Sequence, residues 1–270
     1  MKNLTLILIS FALMYNTAHA QTPNIEEVKW QDGPSVGNLS SIATIQVPGG
    51  YVFADANDTR ILMEEMKNPI SGIEMGFIAP EDLDWFVVFE FDDDGYVPDD
   101  DKDSLDADAM LESIKKGTEA GNKERLQRGW PTMTIVGWEQ KPRYNTATNN
   151  LEWAVKARGE GGLIINYNTR ILGRSGVMRL TLVADPNTLA PTLSKFKDLL
   201  AGYVFNQGQK YAEYKQGDKM AKYGLAALVV GGASAVAAKT GLFKWLWKGI
   251  LVGGIALIAF LKSLFSRKKD

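Results

Sequence analysis

One segment limits the fold more than any other: residues 85–91, WFVVFEF, are apolar at both odd and even positions. Successive side chains of a strand point to opposite faces of its sheet, so a run that is apolar at both parities predicts a central strand covered on both sides. A hairpin alone cannot bury such a strand, because burial needs a sheet with a packed layer on each face. The sequence therefore predicts a layered domain with its core around residues 85–91.

The remaining elements follow from alternation, helical spacing and turn residues. Strands are predicted on both sides of a Pro48-Gly49-Gly50 turn within 41–53, and at 73–78, 130–140, 151–157, 163–172 and 176–184. Helices are predicted near 58–67, over 104–126 with Ser104 as N-cap, and after Asp185-Pro186. The predicted fold class is α+β: an antiparallel sheet of about six or seven strands with two or three packed helices, followed by a C-terminal transmembrane helical hairpin.

The N-terminal residues 1–20 have the pattern of a secretory signal peptide. Lys2 precedes an uncharged apolar run over 4–15, and Ala18-His19-Ala20 is a small-x-small cleavage site. After cleavage, residues 21–206 would form an exported α+β domain. Cleavage would also remove His19, the single histidine of a chain without cysteine, so the mature protein would lack both imidazole and thiol chemistry.

Two apolar runs near the C-terminus predict the membrane hairpin. The first transmembrane segment is 223–238 and the second is 242–261. Both carry small residues at intervals of four, a spacing that lets helices approach closely in lipid. A juxtamembrane connector, 207–222, precedes them and a basic tail, 262–270, follows. The alternative is a single span at 242–261, in which case the first run forms a buried helix of the soluble domain.

Charge is divided unevenly along the chain. Residues 81–108 contain thirteen carboxylates and one lysine, a net charge of −12, whereas 222–270 carry +7. The exported part has no excess of basic residues to neutralise phosphates, which excludes nucleic acid as a partner. The partners predicted instead are the lipid bilayer and either an envelope protein or a second copy of the chain.

The acidic stretch predicts a Ca²⁺ site resembling an EF-hand loop. Glu90, Asp92 and Asp94 occupy loop positions one, three and five, Tyr96 offers its carbonyl at position seven, and Asp101 stands at position twelve. Oxygen ligands at alternate positions suit a hard cation, and Gly95 at position six allows the sharp turn. The alternative is a solvated acidic turn.

Enzyme signatures are missing from the sequence. It contains no nucleophile elbow, phosphate-binding loop, dinucleotide fingerprint or metal-spaced histidine and cysteine cluster. This favours a non-catalytic binding or structural module. The alternative is a carboxylate-dependent hydrolase acting on envelope glycans, since that chemistry needs no histidine. Further candidates for the lining of a ligand groove are Asn166, Tyr167, Asn168, Arg170 and Arg174. The alternative is that these are polar side chains at the edge of the sheet.

Four segments together resemble a bacterial family of uncharacterised membrane-anchored proteins, a domain-of-unknown-function family. They are 85–110, 117–131 (GTEAGNKERLQRGWP), 149–154 (NNLEWA) and 166–178 (NYNTRILGRSGVM). The resemblance implies an envelope location and no particular activity. The order of strands, long helix, strand block and closing helix is also similar to PsbP-like α+β domains, which transfers no function.

Overall fold

The computed structural model of the protein describes residues 27–231. The predicted signal peptide, second membrane segment and basic tail lie outside these residues, as does the first membrane segment after residue 231. The strands are β1 (Gln31–Asp32), β2 (Ser35–Leu39), β3 (Ala43–Val47), β4 (Tyr51–Asp55), β5 (Glu74–Pro80), β6 (Phe86–Asp92), β7 (Thr134–Asn145), β8 (Asn150–Gly159), β9 (Gly162–Leu172), β10 (Val177–Ala184) and β11 (Tyr203–Phe205). The α-helices are α1 (Ala56–Glu65), α2 (Ala107–Gln127), α3 (Leu189–Leu200) and α4 (Leu225–Val230).

Two antiparallel sheets form the domain. The larger has eight strands in the order β1-β4-β5-β6-β10-β9-β8-β7, and the smaller has three in the order β11-β3-β2. Strand β6 lies fourth of the eight and pairs with β5 on one side and β10 on the other. The prediction of a central strand at 85–91 is therefore confirmed.

The large sheet is covered on both faces. Val87, Phe89 and Phe91 of β6 point to the face covered by the small sheet and α3. On the opposite face, α1 packs over the β4 to β6 end, and α2 with α4 packs over the β7 to β9 end. The middle of β6, β10 and β9 lies between these two helical layers, and its side chains form the site described below.

The α+β class and the antiparallel sheet are confirmed, but the predicted number of strands is wrong. The large sheet has eight strands rather than six or seven, and a second sheet is present. Strands β1 and β11 have two and three residues, too few to show alternation. The Pro48-Gly49-Gly50 turn does not close a hairpin, because β3 pairs within the small sheet and β4 within the large one.

The predicted N-cap of the long helix is also wrong. Asp106, not Ser104, caps α2, and its carboxylate accepts the backbone N–H groups of Asp108 and Ala109. An aspartate at this position both satisfies free N–H groups and complements the positive end of the helix dipole.

The chain after α3 stays on the domain up to Gly231. Strand β11 joins the small sheet, and α4 packs beside α2, where Tyr223, Leu225, Leu228 and Val229 are buried. Residues 223–231, the described part of the first predicted membrane segment, thus contribute to the domain core. Between residues 27 and 231 no helix has the length and apolar character needed to cross a bilayer.

Candidate functional site

The acidic loop, residues 93–103, joins β6 to α2 and contacts the segment that leads to the C-terminus. Asp94 accepts a hydrogen bond from the Tyr223 hydroxyl at 2.8 Å. The carbonyl of Tyr96 accepts the N–H of Ala221 at 2.8 Å. Asp101 accepts the N–H groups of Leu225 and Ala226 at 3.0 and 3.3 Å. Three of the five predicted calcium ligands therefore hold residues 221–226.

Further contacts extend this attachment, which we call the clamp and define as residues 93–103 with 211–226. Lys219 donates to the carbonyl of Asp93 at 2.7 Å, and its own carbonyl accepts the N–H of Tyr96 at 2.8 Å. The Tyr96 ring contacts two rings of the opposite segment, Tyr211 at 4.4 Å and Tyr214 at 4.3 Å between centroids. The clamp thus combines hydrogen bonds with aromatic packing.

The other two predicted ligands, Glu90 and Asp92, lie in β6 and point between the helical layers. Glu90 is 4% exposed, and its carboxylate accepts the Ser71 hydroxyl at 2.6 Å and lies 3.7 Å from the Arg179 guanidinium. Asp92 lies 4.0 Å from the same guanidinium. Among residues 27–231 no three Asp, Glu, His or Cys side chains form a group that could hold a metal ion. The Ca²⁺ site stays a prediction, and its proposed oxygen ligands contact other parts of the protein.

Glu90 belongs to a row of charged residues, three of them buried and Arg179 partly buried, that crosses four strands. In the strand register Glu74 of β5 stands opposite Glu90, Glu90 opposite Arg179 of β10, and Arg179 opposite Arg170 of β9. We call these four residues the ionic row. Glu74 is 1% exposed and Arg170 is 3% exposed. Like charges directly opposite each other destabilise a sheet, so the row needs compensating partners.

The acidic end of the row is stabilised by the loop before β5. Glu74 accepts hydrogen bonds from the backbone N–H groups of Ser71 and Gly72, and it shares the one hydroxyl proton of Ser71 with Glu90. It also forms an ion pair with Arg60 of α1 at 3.3 Å. Burial raises the pKa of Glu74, but the hydrogen bonds from Ser71 and Gly72 outweigh it and lower that pKa overall.

The basic end of the row is stabilised by an aromatic ring and by carbonyl groups. The Arg170 guanidinium lies 4.6 Å from the centre of the Trp153 ring, a cation–π distance. It also donates to the carbonyls of Thr169 and Leu180 at 3.3 Å. Burial lowers the pKa of Arg170, and the positive charge of Arg179 lowers it further.

Asp92 joins the ionic row to the clamp. Burial raises the pKa of Asp92 to about 6; the charge of Arg179 opposes this shift, and the neighbouring Asp94 reinforces it. Because Asp94 also accepts the Tyr223 hydroxyl, a continuous set of polar contacts runs from the interior of the sheet to the start of α4. A cavity of about 30 Å³ beside Arg170 and Arg179 also reaches the end of α4, and its volume suits about one water molecule.

Only part of this site is predictable from the sequence. Glu74, Ser71 and Arg179 were missed, because they lie far from the acidic loop in the chain and only strand register brings them together. Arg170 and Asn168 were predicted to line a groove, but both are buried. Arg179 could have indicated the site from the sequence, because it is a charged residue within the otherwise apolar strand VMRLTLVA.

Comparison with known sequences gives the family. The family described as "Protein of unknown function (DUF2167)" matches residues 31–262. This chain belongs to the DUF2167 family. The match contains the described domain from β1 onward together with both predicted membrane segments. No curated protein sequence matches the chain.

The solved structures that the chain resembles include a PsbP protein. The solution structure of cyanobacterial PsbP (CyanoP) from Synechocystis sp. PCC 6803 is similar with a TM-score of 0.36 and 11% sequence identity, over 65% of this chain and 97% of that one. Similarity this weak supports no conclusion about the DUF2167 chain.

Proposed function

We propose that this DUF2167 protein is a membrane-anchored, non-catalytic binding module of the bacterial cell envelope. Residues 1–20 direct export, and the α+β domain works on the outer side of the cytoplasmic membrane. Because residues 223–231 pack in the domain core, the apolar run 242–261 would be the membrane span, as in the single-span alternative, and the domain binds an envelope protein or a second copy of the chain.

The clamp is the observation that carries this proposal. A flexible linker would leave a domain free to move away from its anchor, but here residues 207–231 follow the domain surface without a gap. The isolated bridge between Tyr96 and Met220 and the ion pair between Arg174 and Asp218 fix this path. A membrane anchor after residue 231 would therefore hold the domain close to the bilayer surface.

Two sequence properties support membrane anchoring. The family match continues to residue 262, so the apolar runs belong to the family unit and not to a variable extension. The acidic domain is followed by a C-terminal part with a charge of +7, and basic residues beside membrane segments suit anionic lipid headgroups.

The structure favours binding over hydrolysis. A glycoside hydrolase needs a general acid with a raised pKa next to the substrate. Asp92 has a raised pKa, but its carboxylate packs against Arg179 and Asp94 between the helical layers. The glycan hydrolase remains the alternative function.

The absence of cysteine makes topology directly measurable. We expect Ala147→Cys, on the exposed turn between β7 and β8, to react with a membrane-impermeant maleimide in spheroplasts. Ser266→Cys, in the basic tail, should react as well if both apolar runs span the membrane, and only after permeabilisation if one does.

Deletion of 232–270 is the matched control, since it should release the domain in soluble, exported form. Failure of Ala147→Cys to react until the membrane is permeabilised would refute export. Recovery of the full chain in the soluble fraction would refute anchoring.

A further inference from the structure

A second cavity lies on the other side of the sheet from the ionic row, at the end of β6. It is an open cleft of about 720 Å³, within the size range of small-molecule sites. Five chain segments line it, and each contributes polar side chains or polar backbone groups. The segments are 40–42, 72–75, 91–93, 174–175 and 208–219.

The polar lining is held in place before any ligand arrives. Arg174 donates two hydrogen bonds to the Asp218 carboxylate, at 2.7 and 2.8 Å. Hydrogen bonds from Arg174 and from the backbone N–H of Lys215 lower the pKa of Asp218 to about 2. The Ser175 hydroxyl donates to the Gln209 side-chain oxygen at 2.6 Å, which leaves the Gln209 amide N–H groups available. Preorganised groups of this kind reduce the entropic cost of binding.

The backbone around the cleft is constrained as well. Ser40 has a φ of 57°, a left-handed conformation that is uncommon for a residue other than glycine. Gly176 lies so close to β6 that a Cβ atom there would stand 2.0 Å from the carbonyl oxygen of Asp92. This contact fixes the 173–176 turn, which carries Arg174 and Ser175. Backbone strain of this type is concentrated at functional sites.

The charges of the lining cancel. Arg174 and Asp218 form one ion pair. Lys219 and Asp93 add one positive and one negative charge, and the Lys219 ammonium donates to the backbone carbonyl of Asp93. A strongly anionic or cationic ligand would therefore find no net charge to match. The cleft instead offers a dense mixture of hydrogen-bond donors and acceptors.

Part of the cleft lining is apolar. Ile42, Ile73, Met75 and the ring of Phe91 line it together with the polar groups. A ligand that suits both surfaces carries many hydroxyl groups around its edge and C–H groups on its face. We propose that this cleft binds a neutral saccharide of about two sugar units. Gln209 and Ser41 would act as hydrogen-bonding residues, and the paired Arg174 and Asp218 would position the rim.

The test is a titration of the full chain, purified in a detergent without a sugar headgroup, and followed by saturation-transfer NMR and calorimetry. The neutral probes are N,N′-diacetylchitobiose, cellobiose and maltose. The charged comparisons are the deacetylated chitobiose, which is cationic, and digalacturonate, which is anionic. We expect saturable binding of at least one neutral disaccharide and binding at least about tenfold weaker for the charged ones.

Two variants locate the binding. Gln209→Ala should weaken it about tenfold, as loss of a ligand hydrogen bond does. Ser41→Ala, which removes only an exposed hydroxyl, should weaken it while leaving the melting temperature unchanged. The control is Thr146→Ala, on the exposed β7–β8 turn away from the cleft, which should bind like the native chain.

The proposal is overturned if no neutral disaccharide binds, if a charged comparison binds equally well, or if N-acetyl-trialanine amide binds in place of the sugars. The measurement does not depend on membrane anchoring, because the protein is in detergent throughout. Failure here would leave the proposed anchoring intact, and failure of anchoring would leave this result intact.

Discussion

Asp92 is the residue at which the buried charges of the sheet meet the acidic loop. It faces Arg179 of β10 and Asp94 of the loop, and the charge of Arg170 also reaches it. Burial favours its neutral form, which is why its pKa rises from the ordinary 3.8 to about 6. A carboxyl group in this state makes the stability of the fold depend on pH.

The sign of that dependence follows from proton linkage. Between about pH 4 and pH 6 the folded protein keeps the Asp92 proton while the unfolded chain has released it, so this group lowers the free energy of unfolding as pH rises. Asp92→Asn removes the free-energy cost of burying a charged carboxylate. We expect the variant to become more stable than the native chain by roughly 2 to 3 kcal/mol above pH 6 and to match it near pH 4.

Denaturant unfolding followed by tryptophan fluorescence at several pH values measures this difference. Asp100→Asn, at an exposed position of the same loop, controls for the change in net charge. A difference between native chain and Asp92→Asn that does not vary between pH 4 and pH 6 would contradict the expectation.

At the scale of the element, α4 depends on the acidic loop. Its N-terminal N–H groups at Leu225 and Ala226 bond to Asp101, and its buried face completes the core beside α2. A helix of six residues is too short to be stable alone. The loop and the core therefore determine whether α4 forms.

Replacing the cap tests this dependence. Asp101→Ala should cost about 1 kcal/mol of local stability, as for other helix caps, and raise amide exchange over 225–230 about fivefold. Hydrogen–deuterium exchange with mass spectrometry reads this out. Asp106→Ala is the matched control, because it removes equivalent bonds from α2 and should leave exchange at 225–230 unchanged. Equal exchange in both variants would show that the cap does not hold α4.

Sequence patterns predicted the elements best where the alternation is long. Strand β6 and the block from β7 to β10 were located because apolar residues recur over many positions, whereas β1, β2 and β11 are short or interrupted by Gly37. The acidic loop was recognised as important from its composition, but composition does not give partners. The contacts of Asp94 and Asp101 span more than 120 residues, and only the folded chain brings such residues together.

At the scale of the whole molecule, the domain includes the chain to Gly231. Tyr223, Leu225, Leu228 and Val229 pack in the same core as Trp153 and Val177. Burial of an apolar side chain contributes about 1.5 to 3 kcal/mol, so four of them contribute an amount comparable with the net stability of a typical domain.

Two deletions test whether residues 207–231 belong to the folding unit. Deletion of 232–270 should leave a cooperative thermal transition measured by circular dichroism, because the core stays complete. Deletion of 207–270 should abolish that transition or lower its midpoint by more than about 10 °C. Equal midpoints for the two deletions would show that residues 207–231 do not belong to the folding unit.

The clamp also has a consequence for pH dependence. From residue 231 backwards, the chain first meets the core contacts of Val229 and Leu228 beside the sheet and then the hydrogen bonds of Asp101 and Asp94. Asp94 also helps to raise the pKa of Asp92, so the contact that holds Tyr223 and the group that makes stability depend on pH share one carboxylate.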